Sequence, residues 1–283
     1  MLHQFIFWLR GRKLLNLFLV FGYFGFIIYM HRPITLLSNW VQQRLSLNTY
    51  NLTVQVIYSV LLLLLFIFLI YQFKKYTTNI STKLFYFFIT IALIIFHSFT
   101  MFEMKIEIIH SLEFTLLTFL LFPLVNRFGA AVFFTLPFML ADEWYQYIIL
   151  DPNWNTYFDF NDVTMDIYGS GLTVIVLSIA GVSSNSKQLP FYKRIEFVSL
   201  LALLLCFAIA VKTCVIAFYQ TDVCNNTWLL LRETNMPGTF WEKFPNRDVV
   251  YHVLKPIEGV TMITSLLLFY FGLDSFRKEK YKK

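Results

Sequence analysis

The chain reads as an all-α polytopic transmembrane bundle of about eight helices, with both termini cytoplasmic. Three observations predict this. The 283 residues are 58% hydrophobic and only 14% charged, too little charge to keep a soluble domain of this size in water. About eight segments carry the ~20 apolar residues that span a bilayer. The basic residues fall in short clusters between those segments and alternate sides through an eight-helix path, fifteen on one side against seven on the other.

The segments run Leu14–Met30, Val54–Phe73, Leu84–Met101, Ile109–Val125, Phe128–Ala141 continuing toward Leu150, Val163–Val182, Phe197–Phe218 and Gly259–Phe271. The first follows Arg10-Gly11-Arg12-Lys13 and is too long for a signal peptide, so it reads as a membrane helix. Asn39 to Asn51, with Trp40, Arg44 and Tyr50, reads as a short helix on the membrane surface. Asn126-Arg127 makes a tight turn between the fourth and fifth spans. The largest loop, 219–256, falls outside the cell, with Trp228, Trp241 and Tyr251 as interface anchors. Cys206 and Cys214 read as core residues, with a Cys214–Cys224 bridge as the alternative for the second. Three regions follow: 1–53, an N-terminal span with its interfacial segment; 54–186, a helical core; and 187–283, a C-terminal helix pair.

The net charge of +6 does not point to nucleic acid, because the cations are dispersed as topology signals. The acids are concentrated instead. Glu107-His110-Glu113, Asp142-Glu143-Gln146 and Asp159-Asp162-Asp166 each stand at the end of a long apolar segment, all on the outer side. Charge beside hydrocarbon is costly and points to function. Asp142 lies 14 residues after Phe128, a rise of ~21 Å, which puts it in the outer leaflet. Spacings of three and four place each cluster on one helix face. If the faces converge, the carboxylates must protonate, bind a cation or meet basic groups. Lys212, in the outer leaflet, either supplies such a group or snorkels to the surface. Asp162, with Asn161 as cap, also suits a helix N-terminus. His97 reads as a hydrogen-bonded core histidine, and Glu103 and Asp151 as solvated loop residues.

His110-Ser-Leu-Glu113-Phe114, Asp142-Glu143-Trp-Tyr-Gln146 and Asp159-Phe-Asn-Asp162-Val-Thr-Met-Asp166-Ile-Tyr-Gly169 together resemble the VanZ-like family in order, spacing and membrane context. The likeness covers about Lys105 to Val182. The family's basic residue one turn before the His is Glu107 here, its loop Arg is replaced by Thr156, and its Asn is Asp166, which makes this site more acidic. The resemblance implies a cell-envelope role in a bacterial cytoplasmic membrane and no defined reaction.

The candidate site residues are His110, Glu113, Asp142, Glu143, Gln146, Asp162 and Asp166. Carboxylates would accept the ligand, Gln146 would orient, and His110 would carry a proton or bind. Asp142, Glu143, Asp162 and Asp166 are the candidate metal ligands, for Mg²⁺ or Ca²⁺, since hard cations prefer oxygen. Gly169 and Gly171 would let helices approach closely. Four functions compete. The first is an outward-facing acidic pocket for a lipid-linked wall precursor or glycopeptide. The others are a metal-dependent intramembrane enzyme on a lipid phosphate or sugar, a proton-coupled transporter, and an accessory subunit docking on another membrane protein.

Overall fold

The computed structural model describes residues 2–73, 79–150, 157–184, 190–219, 228–231, 240–243 and 250–275. A short helix, α1 (Leu2–Arg10), precedes a long one, α2 (Lys13–Gln42). Then come α3 (Leu47–Phe73), α4 (Ile80–Thr100), a 3₁₀ turn at Lys105–Ile108, and α5 (Ile109–Val125). The helix α6 (Phe128–Tyr145) runs into a π-helical turn at Gln146–Leu150. The helices α7 (Phe160–Ile179) and α8 (Ile195–Lys212) precede four short strands: β1 (Ile216–Tyr219), β2 (Trp228–Leu231), β3 (Glu242–Lys243) and β4 (Val250–Tyr251). The helix α9 (Pro256–Phe271) follows. Among the described residues, seven helices are long and apolar enough to cross a membrane, the mark of a multi-pass membrane protein. The strands pair as β1 with β2, parallel, and β3 with β4, antiparallel; β1 takes residues 216–218, which the expected seventh span had included.

The helix at the centre is α7, in which every residue but Val176 is buried. It packs against α4, α5, α6 and α9, and most closely against α5. Small residues make that approach: a Cβ on Gly169 would stand 1.9 Å from the Ser111 carbonyl oxygen, and one on Gly171 would stand 2.0 Å from Cζ of Tyr270. Hydroxyls fill the seam. Thr115 Oγ1 donates to the Gly169 carbonyl at 3.0 Å, Thr173 Oγ1 to the Thr115 carbonyl at 2.7 Å, and Thr118 Oγ1 to Ser170 Oγ at 2.7 Å. Between apolar helices in lipid, such close contacts replace the hydrophobic drive that operates in water. Outer helices do the reverse: α3 turns Leu61, Leu63, Leu64 and Ile67 outward, and α8 turns out Leu201, Leu205 and Ile209.

Both ends of α7 are held. At its C-terminal end, Lys83 Nζ donates to the Ser178 carbonyl at 2.8 Å. His3 Nε2 lies 2.8 Å from the Gly181 carbonyl oxygen, and Arg10 reaches the Ser183 carbonyl oxygen at 3.4 Å. Basic groups at that end complement the helix dipole. Nearby, Arg127 pairs with buried Glu196, and the Asp274 carboxylate accepts the N–H groups of Phe128 and Gly129, both at 2.8 Å, capping α6 from across the chain. The acidic end of α7 forms the candidate site.

Several expectations are corrected. The surface helix at Asn39–Asn51 does not form. Instead α2 continues through His31, Arg32 and Pro33 to Gln42, and α3 starts at Leu47. Its 30 residues span about 45 Å, against roughly 30 Å of hydrocarbon. Cys206 is exposed on α8 rather than buried, and Cys214 is disulfide-bonded just past the helix; Cys224 lies outside the described residues. Tyr251 is buried, whereas Trp228 and Trp241 are exposed as expected of anchors.

The Gly169 contact can be tested directly. Gly169→Ala should destabilise the detergent-solubilised protein by about 1–3 kcal/mol, seen as a lower thermal midpoint, because the clash is with backbone. Gly22→Ala, where nothing lies within 4 Å, should leave the midpoint unchanged.

Candidate functional site

The four helices α2, α5, α6 and α7 deliver polar side chains to one place at the N-terminal end of α7. The local reasons are simple. Asp159 is the N-cap of α7, accepting the N–H of Asn161 at 2.8 Å. One and two turns on, Asp162 and Asp166 share a face, and both are buried. His110, in the first turn of α5, sits between them. Its Nε2 is 3.4 Å from Asp162 Oδ2, and its Nδ1 is 3.4 Å from Asp166 Oδ1 and 3.9 Å from Glu113 Oε2. These are ion-pair distances without full hydrogen-bond alignment, so His110 Nδ1, Glu113 Oε2, Asp162 Oδ1 and Asp166 Oδ1 remain buried with no hydrogen-bond partner.

A second imidazole completes the group. His31 Nε2 lies 2.7 Å from Asp142 Oδ1, and with a carboxylate as partner the imidazole N–H donates. Gln146 Nε2 donates to the other Asp142 oxygen at 3.3 Å. The rings of His31 and His110 are 6.0 Å apart. Glu143 Oε1 accepts the N–H of Asp159 at 2.8 Å, tying α6 to the start of α7, while its Oε2 is buried without a partner. Glu143 also feels the charges of Asp162, Asp159 and His110.

All seven predicted site residues are therefore at this end. Six of them, with His31, form one chain of contacts from Glu113 through His110 to Asp162 and Asp166, and from His31 to Asp142 and Gln146. Among the described residues, no three or more His, Cys, Asp or Glu side chains gather to hold a metal ion. Asp142 is drawn to His31 and Gln146, Glu143 to the backbone of Asp159, and Asp162 and Asp166 to His110. The cap of α7 is Asp159 rather than Asn161. The Asn161 side chain instead donates to the carbonyls of Met101 and His252, both at 3.0 Å, and accepts the N–H of Leu254 at 3.0 Å. His97 is a core histidine, 3.1 Å from the Asn161 carbonyl oxygen. Glu103 is buried, Asp151 lies outside the described residues, and Lys212 is exposed at the end of α8.

His31 escaped sequence reasoning because it follows the 17-residue run Leu14–Met30 and lies two residues before Pro33. A proline in that position reads as a helix end. The remaining signal was a polar residue seven before Ser38 and eleven after Val20, both also buried on α2.

An apolar cleft of about 340 Å³ flanks the site between α6, α8 and α9. Its wall includes Trp144, Phe158 and Phe160, the chain neighbours of Glu143 and Asp159. Comparison with protein-family models, curated proteins and solved structures finds no match for the chain.

Two outcomes follow from the geometry. His31→Ala should cost about 3 kcal/mol or more, because it strands the Asp142 charge, and His31→Ala combined with Asp142→Asn should cost less than the sum of the two in a thermal double-mutant cycle. Asp159 supplies a pH dependence. Burial, and after it the charge of Asp162, pushes its carboxyl up to about 8. The folded value is above the ordinary one, so this contribution to stability is complete below about pH 4 and is lost as pH rises through 8. Asp159→Asn, which keeps the cap, should flatten the fall in thermal stability across that window.

Proposed function

We propose that this chain is a VanZ-like multi-pass protein of a bacterial cytoplasmic membrane. In this reading a buried acid–histidine site at the outer face binds a lipid-linked wall precursor or a glycopeptide. One observation carries it: the concentration of partnerless buried polar atoms on His110, Glu113, Glu143, Asp162 and Asp166. Native proteins leave few such atoms, and a set of them in one place is what a site awaiting a ligand presents.

Orientation rests on two supports. The Cys214 disulfide lies just past α8, at the same end as the site, and disulfides persist on the oxidising side of a membrane. Lys83, Arg127 and Arg194 lie at the opposite end, as the positive-inside rule requires. The eight helices α2 to α9 then cross the membrane and both termini are cytoplasmic. The apolar cleft behind Trp144, Phe158 and Phe160 suits a ligand carried by lipid.

A second reading, an intramembrane enzyme on a lipid phosphate or sugar, is favoured by His110 standing 3.4 Å from two carboxylates, an arrangement fit for acid–base work. It requires turnover of such a lipid by the purified protein, lost in His110→Ala.

Expression in a glycopeptide-susceptible bacterium should change susceptibility to glycopeptides or envelope stress several-fold. Asp142→Asn and Asp166→Asn should abolish the change at equal abundance in the membrane. Unaltered susceptibility with the wild-type protein present would contradict the reading.

A further inference from the structure

The unfilled atoms of the site are nearly all of one chemical kind. Glu113 Oε2, Glu143 Oε2, Asp162 Oδ1 and Asp166 Oδ1 are carboxylate oxygens, buried and without a hydrogen bond. Ionised, each only accepts. Asp166 and Glu143 are among the most enclosed, at 2% and 4% exposure, and Asp166 Oδ1 points at His110 from 3.4 Å. What completes such a set must donate.

Several of the described cations are engaged elsewhere. His31 serves Asp142, which leaves His110 alone among Glu113, Asp162 and Asp166. Lys105, close in sequence, turns its Nζ to the carbonyls of Ser98 and Phe102 and caps the C-terminal end of α4. Lys83 and Arg127 are engaged at the far end of the bundle.

Resting on the ligand-site reading above, we propose that the group bound here is an alkylammonium, borne either by a membrane lipid or by a molecule in the external water. An anionic headgroup would add negative charge where carboxyls on α5, α6 and α7 already outnumber imidazoles, and it would meet acceptors with acceptors. A hard metal ion wants six or more oxygens within about 2.0–2.6 Å of one point, and these carboxylates do not gather so. An ammonium needs fewer. Its three N–H groups reach separate acceptors at ordinary hydrogen-bond lengths, here Asp162 and Asp166 one turn apart on α7 and Glu113 facing them from α5.

The test uses the full chain in phosphatidylcholine nanodiscs, with thermal unfolding followed by tryptophan fluorescence. Three soluble probes of equal chain length are titrated: n-butylammonium, butyl phosphate and 1-butanol. Octadecylammonium is doped into the bilayer in a fourth arm. The expected result is a saturable rise in midpoint with an amine and none with butyl phosphate or butanol. Saturation by n-butylammonium assigns the ligand to water, and saturation by octadecylammonium alone assigns it to the bilayer. Asp162→Asn and Asp166→Asn should each weaken the amine by about tenfold or more. A response to butyl phosphate as strong as that to the amine overturns the ammonium assignment and leaves a ligand site standing. No saturable response to any probe overturns both.

Discussion

The enclosure of α7 is the constraint on which the rest of the structure depends. A helix whose first two turns carry Asp159, Asp162 and Asp166 is surrounded by other helices on nearly every side. Its dipole favours acids at that end and bases at the other, and the chain supplies both: aspartates at the start, Lys83 on the Ser178 carbonyl, and His3 and Arg10 on carbonyls just past the helix end. The dipole does not offset the desolvation of buried carboxylates, which costs several kcal/mol per ion unless partners are brought in. His110 is brought in by α5, and α5 comes close enough only because position 169 has no side chain. The same contact that makes the bundle compact therefore makes the site.

From there the site assembles by helix geometry. The bond from the Asp159 N–H to Glu143 fixes α6 against the start of α7, which sets Asp142 one residue away on the inward face. The helix α2 then passes with His31 at the level of Asp142 and closes the group. Polar groups from four helices meet, yet the pairing stays incomplete, with two imidazoles for a larger number of carboxyls. At the opposite end the Asp274 carboxylate is met by two backbone N–H groups and Ser184.

Much of this was legible in the residues. Spacings of three and four placed Asp162 with Asp166 and Asp142 with Gln146, because a helix repeats every 3.6 residues whatever surrounds it. The two glycines in the acidic helix marked close approach, since only a missing Cβ allows it. The continuation of α6 toward Leu150 was legible from its apolar run. What was not legible depended on tertiary context. His31 belonged to a span that outlasts the bilayer thickness, a length no hydrophobic count of about twenty would grant it. Asn161 looked like a cap and is a tether between loops. Glu103 looked solvated and is buried in the segment between α4 and the 3₁₀ turn. Spacing shows that carboxylates share faces, whereas their convergence on one point depends on which partner each finds first.

The central claim is that imidazoles and carboxylates from separate helices touch within the bundle. Solid-state NMR on bilayer-embedded protein, with ¹⁵N-labelled histidine and ¹³C-carboxyl-labelled aspartate, measures those distances. The account predicts dipolar coupling from both His31 and His110 to aspartate carboxyls, at separations consistent with nitrogen–oxygen distances of 2.7 Å and 3.4 Å, and its loss for His31 alone in Asp142→Asn. Imidazole nitrogens uncoupled from any carboxyl carbon, with both rings in the bilayer, would contradict it.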